Sequence, residues 1–132
     1  MSRGVLVVDD DDGVRTVLVD YLTRVGHRVT SAASARDARD AMYAPDAAFD
    51  LVVLDWSLPD LSGRELLRAT QLALPACAVL VTTGLGEDTV SERIAEGGVT
   101  GILRKPFSLR AFGVAVDAAL ARQESDRIVA PE

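Results

Sequence analysis

Short apolar runs that are rich in valine alternate with segments of helical spacing along the chain, and this alternation restricts the fold more than any other feature. The runs predict five β-strands, at residues 4–8, 28–32, 49–54, 76–81 and 101–103. Alternating strands and helices form right-handed crossovers between parallel strands. The sequence therefore predicts an α/β fold with a doubly wound, five-stranded parallel sheet, helices on both faces and strands 4–8 and 49–54 in the centre.

The segments between the strands carry helix signals. A first helix is predicted over residues 13–25, with a cap at Asp11 or Asp12 and a stop at Gly26. Its apolar stripe consists of Val14, Val17, Leu18, Tyr21, Leu22 and Val25. The same signals predict a helix at 34–43 capped by Ser34, a helix at 63–74 preceded by Ser62, a helix at 87–97, and a last helix capped by Ser108. Because the apolar stripe of this last helix ends near Arg122, residues 1–122 are expected to form one domain, and 123–132 a C-terminal tail or the start of a linker.

Charge and composition exclude several classes of function. The formal net charge is −6 and the pI is near 4.7, which argues against direct nucleic-acid binding, since that requires a basic surface. A single cysteine, Cys77, and a single histidine, His27, exclude a zinc cluster. We expect a cytoplasmic protein, because the chain has neither a signal peptide nor an apolar stretch of membrane-spanning length.

Polar residues follow four of the predicted strands at the point where each strand ends. Asp9 and Asp10 follow the first, Asp55 the third, Thr82 and Thr83 the fourth, and Lys105 the fifth. The carboxyl ends of parallel strands meet at one edge of a sheet, and ligands bind there. Three carboxylates, a hydroxyl and an ammonium group are therefore expected to converge on one site.

Clustered carboxylates repel one another unless a cation neutralises them. Oxygen ligands without histidine or thiolate suit a hard cation such as Mg²⁺. A carboxylate beside such an ion can also attack a phosphoryl group and form an aspartyl phosphate. The residue types at this edge are thus consistent with magnesium binding and phosphoryl transfer.

The motifs VLVVDDD, LVVLDWSLPDLSG, VLVTTGLG and GILRKPF closely resemble the receiver domain of two-component response regulators, and the resemblance covers residues 3–122. It implies the flavodoxin-like strand order 2-1-3-4-5. It also implies that Asp55 accepts a phosphoryl group from a sensor histidine kinase or a histidine phosphotransfer protein, with Mg²⁺ or Mn²⁺. The metal would be held by Asp10, Asp55 and the backbone carbonyl of Ser57, with Asp9 helping through water.

The resemblance assigns roles on the other two strands as well. Thr83 would hydrogen-bond the phosphoryl group, Lys105 would pair with its oxygens, and Pro106 would shape the loop, often through a cis bond. One position departs from the family pattern: the aromatic switch residue expected three positions before Lys105 is Ile102 here. The resemblance implies a signalling domain, which is not an enzyme but assists its own magnesium-dependent phosphorylation and dephosphorylation.

Other functions are less consistent with the residues. A degenerate receiver that acts only as a protein–protein interaction module would be expected to lack Asp55, Lys105 or an acidic residue. A haloacid dehalogenase-type phosphatase needs a second aspartate two residues after the first, where this chain has Ser57. A flavodoxin-like flavin carrier needs a phosphate loop where this chain has DDDD. The output domain or target protein is not identified by any motif, and neither is the presence of further domains.

Overall fold

The computed structural model describes residues 2–58, 63–84 and 98–129. Its strands are β1 (Gly4–Val8), β2 (Arg28–Ala32), β3 (Leu51–Asp55), β4 (Ala78–Thr83) and β5 (Gly101–Arg104). They form one parallel sheet in the order β2-β1-β3-β4-β5. The predicted doubly wound α/β fold, its strand order and the central position of β1 and β3 are all confirmed.

Four helices lie within the described residues: α1 (Asp12–Arg24), α2 (Ala35–Met42), α3 (Gly63–Ala73) and α4 (Leu109–Val129). Two of the predicted caps are in place, since Asp11 accepts a hydrogen bond from the backbone N–H of Val14 and Ser34 accepts one from Asp37. Gly26, with a φ of 103°, takes the left-handed conformation after α1. The helix predicted at 87–97 and Ser62 lie outside the described residues.

The sheet separates two hydrophobic clusters, because successive strand residues point to opposite faces. One cluster joins alternate residues of β1, β3 and β4 to α2 and α3, and it includes Leu6, Val52 and Leu66. The other joins the remaining strand residues to α1 and α4, and it includes Leu18, Leu80 and Phe112. A strand that is covered on both faces must be apolar throughout, which is why β1, β3 and β4 read as continuous apolar runs.

Three details differ from the sequence-based expectation. Asp55, Thr82 and Thr83 lie inside β3 and β4 rather than after them, since the backbone ladder continues past the apolar run and pairs Asp55 with Thr82. The stripe of α1 is narrower than predicted, because Val17 and Val25 are about half exposed while Leu18 and Leu22 form the buried contact.

The third difference is the length of α4, which continues to Val129 where the sequence predicted a tail or linker. Gln123 is buried, accepts a hydrogen bond from Arg3 and donates one to the carbonyl of Ala76. Arg3 also forms an ion pair with Glu124. These contacts continue the helix after its apolar stripe has ended, and the domain boundary at residue 122 stays a prediction.

Candidate functional site

The predicted polar residues lie together at the carboxyl edge of the sheet. One carboxylate oxygen from each of Asp9, Asp10 and Asp55 falls within 4.8 Å of the others. Nζ of Lys105 donates to Oδ2 of Asp9 at 2.9 Å and lies 3.6 Å from Oδ2 of Asp55. Asp9 and Asp55 are both 1% exposed, so two of the three carboxylates are buried. Topology thus joins residues that are far apart in the chain, as expected.

The four consecutive aspartates have four different surroundings. Asp9 binds Lys105, and its Oδ1 also accepts the backbone N–H of Asp11 at 2.9 Å. Asp10 is exposed and faces Asp55. Asp11 caps α1, and Asp12 pairs with Arg15 at 2.5 Å. Repulsion within the run is therefore reduced by an ammonium group, a guanidinium group and backbone donors.

Ser57 fixes one oxygen of Asp55. Its backbone N–H and its hydroxyl both donate to Oδ1 of Asp55, at 3.1 and 3.0 Å. The intervening Trp56 continues the sheet pairing by donating its N–H to the carbonyl of Thr82 at 2.9 Å. As a result, Oδ1 of Asp55 faces Ser57, while Oδ2 faces Lys105.

The ends of β4 and β5 complete the site. Thr83 is 4% exposed, and its carbonyl accepts the backbone N–H of Lys105 at 2.7 Å. The Lys105–Pro106 peptide bond is cis. Ile102 is half-buried and packs against the hydrophobic cluster shared by the sheet, α2 and α3. Pairing between β4 and β5 therefore brings Thr83 next to Lys105.

Burial and neighbouring charges shift two pKa values at the site. Desolvation, the hydrogen bond that the protonated carboxyl of Asp10 donates to Asp55, and the charge of Asp55 raise the pKa of Asp10. For Lys105, burial lowers the pKa, but the hydrogen bond to Asp9 and the charges of Asp55 and Asp9 outweigh it and raise the pKa overall. Lys105 is therefore a stable cation at neutral pH. The site has three carboxylates and one ammonium group, so negative groups outnumber the positive one.

Comparison with known proteins assigns the family. The family model described as the response regulator receiver domain matches residues 5–117. The chain belongs to this family. The receiver is similar to a solved response regulator receiver domain from Methanospirillum hungatei, with a TM-score of 0.86, 27% identity and coverage of 96% and 99% of the two chains. It is also similar to the BeF₃-activated DrrB receiver domain, with a TM-score of 0.79, 30% identity and coverage of 92% and 100%.

Curated relatives are longer than this receiver. It is 36% identical to the transcriptional regulatory protein FixJ of Azorhizobium caulinodans, and the match covers 92% of this chain and 56% of the relative. It is 32% identical to the sensor kinase CckA of Brucella abortus, where it covers 93% of this chain and 13% of the relative. The chain thus spans about half the length of the regulator and a small part of the kinase. No helix among the described residues has the length and apolarity to span a membrane.

The donor set of the receiver fits a hard divalent cation. Receiver domains bind Mg²⁺ at an acidic aspartate pocket, and the cluster of Asp9, Asp10 and Asp55 has this composition. Two of these carboxylates are buried beside one ammonium group, so the site keeps an excess of negative charge that a cation would neutralise. Asp10, Asp55 and the carbonyl of Ser57 are the groups that would hold the ion.

Several contacts of the receiver were not predicted from the sequence. The hydroxyl of Ser57 was not predicted to touch Asp55, since only its carbonyl was assigned. Arg15 donates from its guanidinium group to the carbonyl of Asp9 at 2.8 Å, and it was assigned no role. A signal for Arg15 was available, because an arginine in the first turn of a helix can reach back over the loop that precedes the helix.

Proposed function

We propose that this receiver accepts a phosphoryl group on Asp55 from the phosphohistidine of a sensor histidine kinase or a histidine phosphotransfer protein, and that Mg²⁺ or Mn²⁺ is required. The observation that carries the proposal is the buried Asp55 carboxylate, which lies within 4.8 Å of two further carboxylates and 3.6 Å from the ammonium group of Lys105. In this arrangement the oxygen nucleophile of Asp55 lies between the carboxylates that would hold a cation and the ammonium group of Lys105.

The chemistry follows from these groups. An oxygen of Asp55 attacks phosphorus, a P–O bond forms, the P–N bond of phosphohistidine breaks, and the imidazole leaves with the electron pair and takes up a proton. A divalent ion held by the aspartate cluster would supply positive charge for the phosphoryl oxygens. Lys105 moves from Asp9 and Asp55 toward these oxygens, and the hydroxyl of Thr83 donates a hydrogen bond to one of them. Lys105 and Thr83 thereby stabilise the negative charge that develops on the phosphoryl oxygens.

The partners follow from the family and the relatives. A relative described as a sensor kinase and others described as transcriptional regulators match this chain over most of its length. We infer that phosphorylation changes the surface of the receiver and thereby acts on an output domain or a separate target protein. The cytoplasmic location belongs to the same proposal, since histidine kinases present their phosphohistidine there.

The indole of Trp56, next to Asp55, provides the test. Fluorescence of the purified protein is recorded during a Mg²⁺ titration, and acetyl phosphate or beryllium fluoride is then added. We expect a saturable change with Mg²⁺ and a second change that requires both Mg²⁺ and the donor. Asp55→Asn should abolish the second change and acid-labile labelling while preserving the fold. Label that persists on Asp55→Asn would refute the assignment. If neither the wild type nor Asp55→Asn changes its fluorescence with Mg²⁺ or the donor, the protein is a degenerate receiver.

Lys105→Ala separates the metal site from the phosphoryl site. The variant should still bind Mg²⁺, because its carboxylates remain, but it should respond weakly to beryllium fluoride and signal poorly. Complete loss of magnesium affinity in this variant would contradict the place given to Lys105.

A further inference from the structure

Arg15 is a partly buried cation beside the acidic cluster. It belongs to the first turn of α1, and its side chain is 18% exposed. One guanidinium nitrogen donates to the backbone carbonyl of Asp9 at 2.8 Å, and another donates to the carboxylate of Asp12 at 2.5 Å. The planar guanidinium group thus bridges the residue at the start of the β1–α1 loop and the first residue of the helix.

The contact with Asp9 matters because of where this residue lies. The ladder between β1 and its neighbours ends at Val8, so the Asp9 carbonyl belongs to the loop rather than to the sheet. This carbonyl is part of the peptide that links Asp9 to Asp10. Asp11 is fixed from the other side, since it caps α1 and donates its N–H to Asp9. The side chain of Asp10 is exposed, so its position is set mainly by this backbone.

We propose that Arg15 is a positioning residue for the magnesium ligand Asp10, acting by fixing the Asp9–Asp10 peptide from the helix side. This inference rests on the proposed magnesium site. Arginine suits the role because its rigid fork donates to two acceptors at once, which a lysine ammonium on a flexible stem does not reproduce. If Arg15 acted only through its charge, removing that charge would strengthen Mg²⁺ binding, since a nearby cation repels Mg²⁺. Positioning and charge can therefore be separated by experiment.

Two variants at position 15 make the separation. Arg15→Lys keeps the charge and loses the fork, whereas Arg15→Met removes both. We expect Kd for Mg²⁺, measured by Trp56 fluorescence well below the melting temperature, to rise roughly tenfold in both variants, as is usual when an outer partner of a metal ligand is lost. Arg24→Lys is the matched control. Arg24 lies at the other end of the same helix, and its Nε is 3.0 Å from Oδ2 of Asp20. Its Kd should equal that of the wild type.

The outcomes distinguish this inference from the proposed function. If the wild type itself does not bind Mg²⁺, the proposed function fails and this inference fails with it. If the wild type binds and Arg15→Lys binds equally well, or if Arg15→Met binds more tightly than the wild type, Arg15 acts only through charge and the inference is overturned. Circular dichroism melts without Mg²⁺ confirm that both variants are folded at the temperature of the titration.

Discussion

Removing the charge of Asp10 should stabilise the metal-free protein. Its carboxylate has oxygen atoms of Asp9 and Asp55 within 4.8 Å, and Lys105 offsets about one of these two charges. Two unit charges at that separation repel by about 0.9 kcal/mol in water and by about 3.5 kcal/mol at an effective dielectric constant of 20. Because Asp10 is exposed, solvent screening favours the lower value, and we expect Asp10→Asn to add about 1 kcal/mol to the free energy of unfolding.

Thermal melts by circular dichroism measure this effect. In EDTA at pH 7.5 and low salt, Tm of Asp10→Asn should exceed that of the wild type by roughly 3–5 °C. Saturating Mg²⁺ should reverse the order. At 100 times its Kd, Mg²⁺ stabilises the wild type by about 2.7 kcal/mol. The variant gains less, because it lacks one of the carboxylates that bind the ion. Asp40→Asn, an exposed substitution on α2, should change neither melt.

The sign of the pH dependence provides a second check. The pKa of Asp10 is raised in the folded state above its ordinary 3.8, so the folded protein binds this proton more tightly than the unfolded chain does. The repulsion is therefore absent below pH 3.8, grows as pH rises through the folded pKa, and is complete above it. The Tm difference between variant and wild type should therefore widen as pH rises from 3.8 toward neutral. A variant that melts at or below the wild-type temperature in EDTA would refute this reasoning.

Three further predictions concern the surroundings of the site and the sheet. Burial lowers the pKa of His27, whose Nδ1 accepts the N–H of Arg3 at 3.2 Å. Because the unfolded chain then binds this proton more tightly, the wild type should lose stability in urea titrations as pH falls below 6.5, and His27→Gln should not. Burial raises the pKa of the Cys77 thiol to about 12, so mass spectrometry should show alkylation by iodoacetamide at pH 8 at least about tenfold slower in the native than in the urea-unfolded protein. A Cβ at Gly63 would lie 2.5 Å from the Trp56 ring, so Gly63→Ala should shift the fluorescence emission and cost about 1–3 kcal/mol in the free energy of unfolding.

The regular part of the fold could be predicted because it depends on local patterns. The β1 and β2 boundaries are as predicted, and the Asp11 and Ser34 caps are in place. The extension of α4 could not be read from the sequence in the same way. It depends on Arg3, which contacts Gln123 from 120 positions away in the chain. Helix length was predicted from an apolar stripe, and a stripe carries no information about a buried polar contact with a distant residue.

At the candidate site, the residues that meet could be predicted from the sequence, but their individual hydrogen bonds could not. Parallel strands alone predict that Asp9, Asp55 and Lys105 meet, since each follows or ends a strand at one edge of the sheet. The partner of each oxygen depends on loop geometry, so the hydrogen bonds of Ser57 to Oδ1 of Asp55 and of Lys105 to Oδ2 of Asp9 were not predictable.

The run of four aspartates illustrates why one charge pattern can serve several purposes. A loop that turns from a strand into a helix points successive side chains in different directions, so neighbours in sequence are not neighbours in space. Asp9 turns inward to Lys105, while Asp11 and Asp12 turn toward the start of α1. Asp10 is exposed and directed at a second carboxylate, Asp55, and a divalent ion bound there would remove the repulsion between them. The stability of the apo protein and its affinity for Mg²⁺ are therefore opposed at this residue, which is why a single Asp10→Asn substitution should raise one and lower the other.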